Sequence, residues 1–124
     1  MKQALATAQA PAAIGPYSQG IAAGQTVYVS GQLPIDPATG AITEGIAAQT
    51  AQSLKNIQAI LAEQGMTLAD VVKTTVFLAD MNDFAEMNKV YGEYFAQPFP
   101  ARSAVQVAKL PKGAPLEIEC IAVK

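Results

Sequence analysis

Val71-Val-Lys-Thr-Thr-Val-Phe-Leu78 is too rich in β-branched side chains to make a comfortable helix, and it closes at Asp80, so it reads as a central strand. Working outward, Ile46, Leu54, Ile57, Ile60 and Leu61 recur at near-helical spacing between residues 46 and 64, alanines fill the gaps, and Gly65 follows as a cap. On the other side Asn82 is a candidate cap for a second helix, whose Phe84, Met87, Tyr91 and Tyr94 are spaced by three, four and three and which should end near Gln97-Pro98. Val27-Tyr28-Val29-Ser30, flanked by Gly24 and Gly31, reads as a short strand. The segment from Ala10 to Gly20, with Pro11, Gly15 and Pro16, reads as an extended or turning loop that carries Tyr17. Beyond the second helix, Phe99-Pro100-Ala101-Arg102 leads into a strand over 103–108. After a turn at Pro111 to Pro115, a last strand puts Leu116, Ile118, Cys120 and Ala122 on one face and Glu117, Glu119, Ile121 and Val123 on the other. This order of elements implies one α+β domain over residues 1–124, a sandwich with two helices on one side of a sheet. The other sheet face, bearing Ile121 and Val123, then needs a partner or a solvent-tolerant surface.

Composition narrows what such a domain can do. The chain has 124 residues, 51% hydrophobic and 15% charged; the low charge content favours a subunit partner over the bare sheet face. Eight Lys and Arg against ten Asp and Glu leave a net charge of −2, so there is no broad cationic field to attract a phosphate backbone, and nucleic acid is a disfavoured partner. The one cysteine, Cys120, cannot form an internal disulfide and fits a cytoplasmic address. No apolar run approaches a bilayer span, and no signal peptide is read in the alanine-rich start. No membrane role is expected.

With no histidine in the chain, serine–histidine and cysteine–histidine chemistry and most zinc sites are set aside, and no metal site is expected. Neither a dinucleotide fingerprint nor a phosphate-binding loop occurs. Catalysis must draw on Glu, Asp, Lys, Tyr, Ser, Arg and backbone groups. Arg102, directly after Pro100-Ala101, sits where a fixed backbone could aim a planar guanidinium at a carboxylate; read alone, it is better taken as a surface arginine in a weak ion pair. Glu117 shares a strand face with Ile121 and Val123 and is a candidate proton-transfer group with a raised pKa, Glu119 on the same face is its rival, and either could be a solvated sheet position. Asn88 borders the apolar stripe of the second helix and could donate into a cleft or bond a neighbouring backbone group. Cys120, among aliphatics, is inert core.

Taken in order, Ala10-Pro-Ala-Ala-Ile-Gly-Pro-Tyr-Ser-Gln-Gly20, Val29-Ser-Gly-Gln-Leu-Pro34, Val72-Lys-Thr-Thr-Val-Phe77 with Asn82-Asp-Phe84, and Phe99-Pro-Ala-Arg-Ser103 with Leu116-Glu-Ile-Glu119 make the chain similar, nearly end to end, to the RidA (YjgF/YER057c/UK114) family of reactive-intermediate deaminases. The resemblance implies a chorismate-mutase-like fold, a mixed sheet with two helices on one face. It also implies a homotrimer whose sheets form an inner barrel, with clefts between subunits. By position it assigns the carboxylate-binding arginine to Arg102, the acidic residue to Glu117 rather than Glu119, and the cleft lining to Tyr17, Ser30, Gly31 and Asn88. The implied activity is hydrolysis of 2-iminobutanoate and 2-iminopropanoate, released when pyridoxal-phosphate enzymes dehydrate threonine or serine, to 2-oxo acids and ammonia, with no cofactor. One departure stands out: many relatives carry a cysteine two positions after the arginine, and here that position is Ala104, so no thiol there can be essential. Alternative readings are a sensor that binds a 2-oxo acid without turnover, or a chaperone-like interaction protein. Ribonuclease or translation-inhibitor roles, described for some relatives, are opposed by the acidic balance and the missing histidine.

Overall fold

The computed structural model describes residues 1–124. Its elements are β1 (Lys2–Leu5), β2 (Gly20–Ala23), β3 (Thr26–Gln32), α1 (Ile46–Ala62), β4 (Val71–Leu78), α2 (Phe84–Tyr94), β5 (Ala101–Gln106) and β6 (Leu116–Val123), with single 3-10 turns at Leu68–Asp70, Met81–Asp83 and Pro111–Gly113. The strands form one mixed sheet in the order β1-β2-β3-β6-β4-β5. Every neighbouring pair is antiparallel except β4 and β5. Parallel neighbours need a long crossover, and α2 supplies it. The last strand inserts between β3 and β4, so the middle of the sheet is completed by the C-terminus.

Both helices lie on one face. Alternation along β6 sends Leu116, Ile118, Cys120 and Ala122 into the core, where they meet Val27 and Val29 of β3, Val76 and Leu78 of β4, and the helix residues Leu54, Ile57, Ile60, Leu61 and Met87. Burial in this apolar layer pushes the Cys120 thiol up to about 12, with the Glu119 charge adding to the effect, so the thiolate is excluded and the residue is the inert core group its pattern suggests. α1 ends where the sequence indicates. Gly65 takes a left-handed φ of 68°, its N–H donates to the carbonyl of Ala62, and that of Met66 reaches back to Leu61. No helix is long and apolar enough to cross a membrane.

The structure adds two strands and corrects three local readings. β1 and β2 have no strand-like sequence, being Lys-Gln-Ala-Leu and Gly-Ile-Ala-Ala; they become strands because the edge of β3 offers unpaired backbone groups that β2 and then β1 satisfy. Asn82 is not a cap for α2. It lies inside the 3-10 turn, donates its own N–H to the Asp80 carboxylate, and leaves α2 to start after Asp83 without a side-chain cap. The helix stops at Tyr94, with Phe95 already extended, short of Gln97-Pro98. β5 begins at Ala101 and ends at Gln106, which places Arg102 on a strand rather than on the approach to one.

The N-terminal loop is stapled by one side chain. Buried Gln19 accepts from the Thr7 N–H at 2.7 Å and donates to the carbonyls of Pro11 at 2.7 Å, Thr7 at 3.1 Å and Ala10 at 3.3 Å. This fixes the segment that carries Tyr17. Replacing Gln19 by Leu, similar in bulk but unable to bond, leaves those groups unsatisfied. The expected outcome is a loss of about 1–3 kcal/mol in chemical denaturation, with accelerated amide hydrogen exchange at Thr7 and none in α1.

Candidate functional site

The helix-free face of the sheet holds a cavity of about 780 Å³. Tyr17, Ser30, Gly31 and Glu117 all line it, together with Glu119 and Lys112. The register between β3 and β6 slips between Val29 and Gln32, so Ser30 and Gly31 bulge beside Glu117. At Gly31 a β-carbon would stand 2.6 Å from the Glu117 Cδ and 2.9 Å from its Oε1. Only glycine therefore lets the carboxyl lie against the β3 backbone. Ser30 donates its hydroxyl to the Ser18 carbonyl at 2.6 Å, and its N–H bonds the Gln19 carbonyl, tying the bulge to the Tyr17 loop. Tyr17 itself is half exposed, its hydroxyl accepting weakly from the Ile14 N–H at 3.4 Å.

Burial and charge both disfavour the ionised form of Glu117. Its pKa is raised above the ordinary 4.5, first by loss of hydration and second by the negative charge of Glu119 on the same strand face. Lys112, the one cation lining the cavity, is presented by the turn after Pro111 with a left-handed φ of 58°. A second hollow of about 490 Å³, beside the N-terminal strand, is walled mainly by alanines and has no charged side chain. It offers no comparable chemistry.

Arg102 lies elsewhere. On β5 it stands opposite Thr74 of β4, while Glu117 on β6 stands opposite Phe77. Positions 74 and 77 are an odd number of residues apart on one strand, so the two groups occupy opposite faces of the sheet. The guanidinium packs over α2: Nη1 donates to Asn88 Oδ1 at 2.7 Å, and Cζ is 4.7 Å from the Tyr91 ring centroid and 5.4 Å from that of Phe84. Asn88 thus braces the arginine. Of the six residues singled out in the sequence, four meet in the cavity, two meet on α2 and β5, and one chain does not unite the two groups.

A family model described as endoribonuclease L-PSP matches residues 7–124. The chain belongs to this family, the RidA family. Proteins similar to it match over nine-tenths or more of their own length. A Salmonella typhimurium protein named 2-iminobutanoate/2-iminopropanoate deaminase is 52% identical over 127 residues, spanning 100% of this chain and 99% of that one. A Bos taurus protein of the same name is 52% identical, over 100% of this chain and 91% of its own. Among solved structures, E. coli TdcF with bound serine superposes with a TM-score of 0.93 at 47% identity, covering 98% of each chain.

In this RidA-family chain the residues that sequence reasoning passed over are the ones whose role is contact. Phe84 and Tyr91 read as an apolar stripe, yet both rings face the Arg102 guanidinium. Their spacing with Asn88, at positions 84, 88 and 91, was the available signal, since it sets all three on one helix face. Lys112 and Gln19 left no such trace, because a turn and a buried amide have no period. The Gly31 geometry yields a test. In Gly31→Ala the atoms displaced, Cγ, Cδ and Oε1 of Glu117, all belong to one flexible side chain and none to the backbone, so the protein should melt within a few degrees of wild type. The Glu117 carboxyl should swing away, and a reaction that depends on it should fall by about tenfold or more. Differential scanning calorimetry and an activity assay on the same preparation check both halves.

Proposed function

We propose that the chain hydrolyses short 2-imino acids to 2-oxo acids and ammonia, in a site that two copies of the chain complete. The observation that carries the reading is the pairing of incomplete halves: a desolvated carboxylate in a cavity on one face, and on the other a braced guanidinium whose partner is a neutral amide. Close relatives named for this reaction support it. A single chain cannot bring Glu117 and Arg102 to one small molecule, whereas the cavity edge of one copy against the α2–β5 edge of another can. A closed ring of three copies, with the helix-free sheet faces turned inward as a barrel, satisfies this requirement and also covers half-exposed Tyr28, Val105 and Val123. The setting is cytoplasmic, consistent with the unpaired Cys120.

In this arrangement Arg102 takes the substrate carboxylate in a two-point, charge-assisted pair, which fixes the orientation of the C=N carbon. Tyr17 and the Ser30-Gly31 backbone wall the acyl side. Glu117 takes a proton from water as its oxygen bonds to C2 of the protonated imine. The tetrahedral amino alcohol then receives that proton on nitrogen, its hydroxyl passes its own proton to the Glu117 carboxylate as the C–N bond breaks and the C2–O double bond forms, and the ammonia released takes that proton away, leaving the 2-oxo acid and the ionised carboxylate. Water and protons are the only species exchanged. A ribonuclease reading has less support: two carboxylates against one lysine line the cavity and repel a phosphodiester, and no histidine is available to shuttle its protons.

Coupling the protein to a threonine dehydratase, with semicarbazide trapping free imine, tests the activity directly. Wild type should lower the trapped adduct. Arg102→Ala should lose about ten- to a hundredfold in kcat/KM, and Arg102→Lys most of that, because an ammonium cannot reproduce the fork. Glu117→Gln should lower kcat by about 10²- to 10⁴-fold with the assembly intact by light scattering. Wild-type rates in both variants reject the assignment.

The pH dependence has a defined sign. The reactive form of Glu117 is ionised, so activity is lost as pH falls through its raised pKa, and the acid limb of kcat/KM should lie above 4.5. Glu119→Gln removes the second cause of the shift and should move that limb to lower pH. An unmoved limb in Glu119→Gln would detach Glu119 from the titration.

A further inference from the structure

Arg102 would have to meet a substrate carboxylate with its plane already set, and the structure contains a device for setting it. Thr74, directly across the parallel β4–β5 pair from Arg102, is fully buried, and its Oγ1 shares a hydrogen bond of 2.7 Å with the Tyr91 hydroxyl. Phe95 packs against the Tyr91 ring, with centroids 4.6 Å apart and planes tilted by 38°. Over the same ring lies the Arg102 guanidinium. Burial, opposed by the Thr74 bond and by the Arg102 charge, holds the phenol above its ordinary pKa, so it stays neutral and can keep this bond.

We propose that Thr74 and Tyr91 are positioning residues for Arg102, a buried hydroxyl pair that pins an aromatic plate beneath the guanidinium and so fixes the plane it presents to a carboxylate. The proposal rests on the assignment of Arg102 as carboxylate anchor and goes beyond it. A stacked guanidinium keeps its in-plane N–H groups free. Asn88 takes one of them, on Nη1, and restricts rotation about the stem. The remaining edge is left for the ligand, and orienting it in advance removes part of the ordering cost of binding. Thr74 matters because it belongs to the strand next to Arg102: plate and guanidinium are referenced to the same two strands, so they move together.

The test uses the full chain and the variants Tyr91→Phe, Thr74→Val, their double, Tyr91→Leu and Arg102→Ala. In the 15N-labelled protein the Arg102 Nε–H resonance, identified by its loss in Arg102→Ala, should be shifted from the free-arginine position by the Tyr91 ring current. It should return toward that position in Tyr91→Leu. Kinetically, Tyr91→Leu should raise KM for 2-iminobutanoate by about tenfold with kcat little changed, because it loosens a ground-state anchor. Tyr91→Phe and Thr74→Val each break the same bond and should raise KM by about two- to fivefold, with the double no worse than either single.

An unshifted Arg102 resonance in wild type, an unchanged KM in Tyr91→Leu, or independent multiplicative effects of the two single changes would overturn the proposal. Should Tyr91→Leu fail to fold, the milder pair and their double decide the matter. Loss of the functional reading would look different: Arg102→Ala would then bind and turn over substrate like wild type, while the resonance would still report on the clamp.

Discussion

The structure depends on β6 lying between β3 and β4. A strand in that position must alternate strictly, because one face is sealed under two helices and the other is open, and a slip of one residue would exchange Leu116, Ile118, Cys120 and Ala122 for Glu117 and Glu119 in the core. Putting two carboxylates under the helices would cost far more than any packing could return. The register is therefore fixed by the hydrophobic core, and the position of Glu117 follows from it.

Fixing the register does not finish the site, because a strand side chain ordinarily stands clear of its neighbour. The bulge in β3 and the missing β-carbon at Gly31 let the Glu117 carboxyl lie down on the backbone, partly withdrawn from water. Desolvation raises its pKa, and the charge of Glu119 acts in the same direction. The Tyr17 loop is brought to the same place by Gln19 and Ser30, through bonds made almost wholly to backbone. A bulge, a missing β-carbon and one buried amide thus bring Glu117 and the Tyr17 loop to the same cavity.

The arginine cluster is built on the opposite physics. Arg102 is ordered by aromatic faces and a neutral amide, and no carboxylate is paired with it. The two groups sit on different sheet faces, and in the proposed reaction their closure on one molecule would fall to association of copies. A chain whose charge content is low and whose sheet leaves Tyr28, Val105 and Val123 half exposed has the surface to make that association favourable.

The sequence by itself determined the central strand at Val71–Leu78, the last strand at Leu116–Val123, the helix beginning at Ile46 and the inward face of β6, since each is written in a local period or in β-branched content. It also carried the family resemblance, in motifs whose order is specific. Periodicity could not reveal β1 and β2, whose alanines and glycine have no preference that neighbours do not impose, nor could it see that Asp80 rather than Asn82 accepts at the start of the second helical segment. Nor did it show that Arg102 and Glu117 stand back to back. That relation depends on which strands pair and in what register, and pairing between residues distant in the chain is a property of the packed sheet that no local pattern encodes.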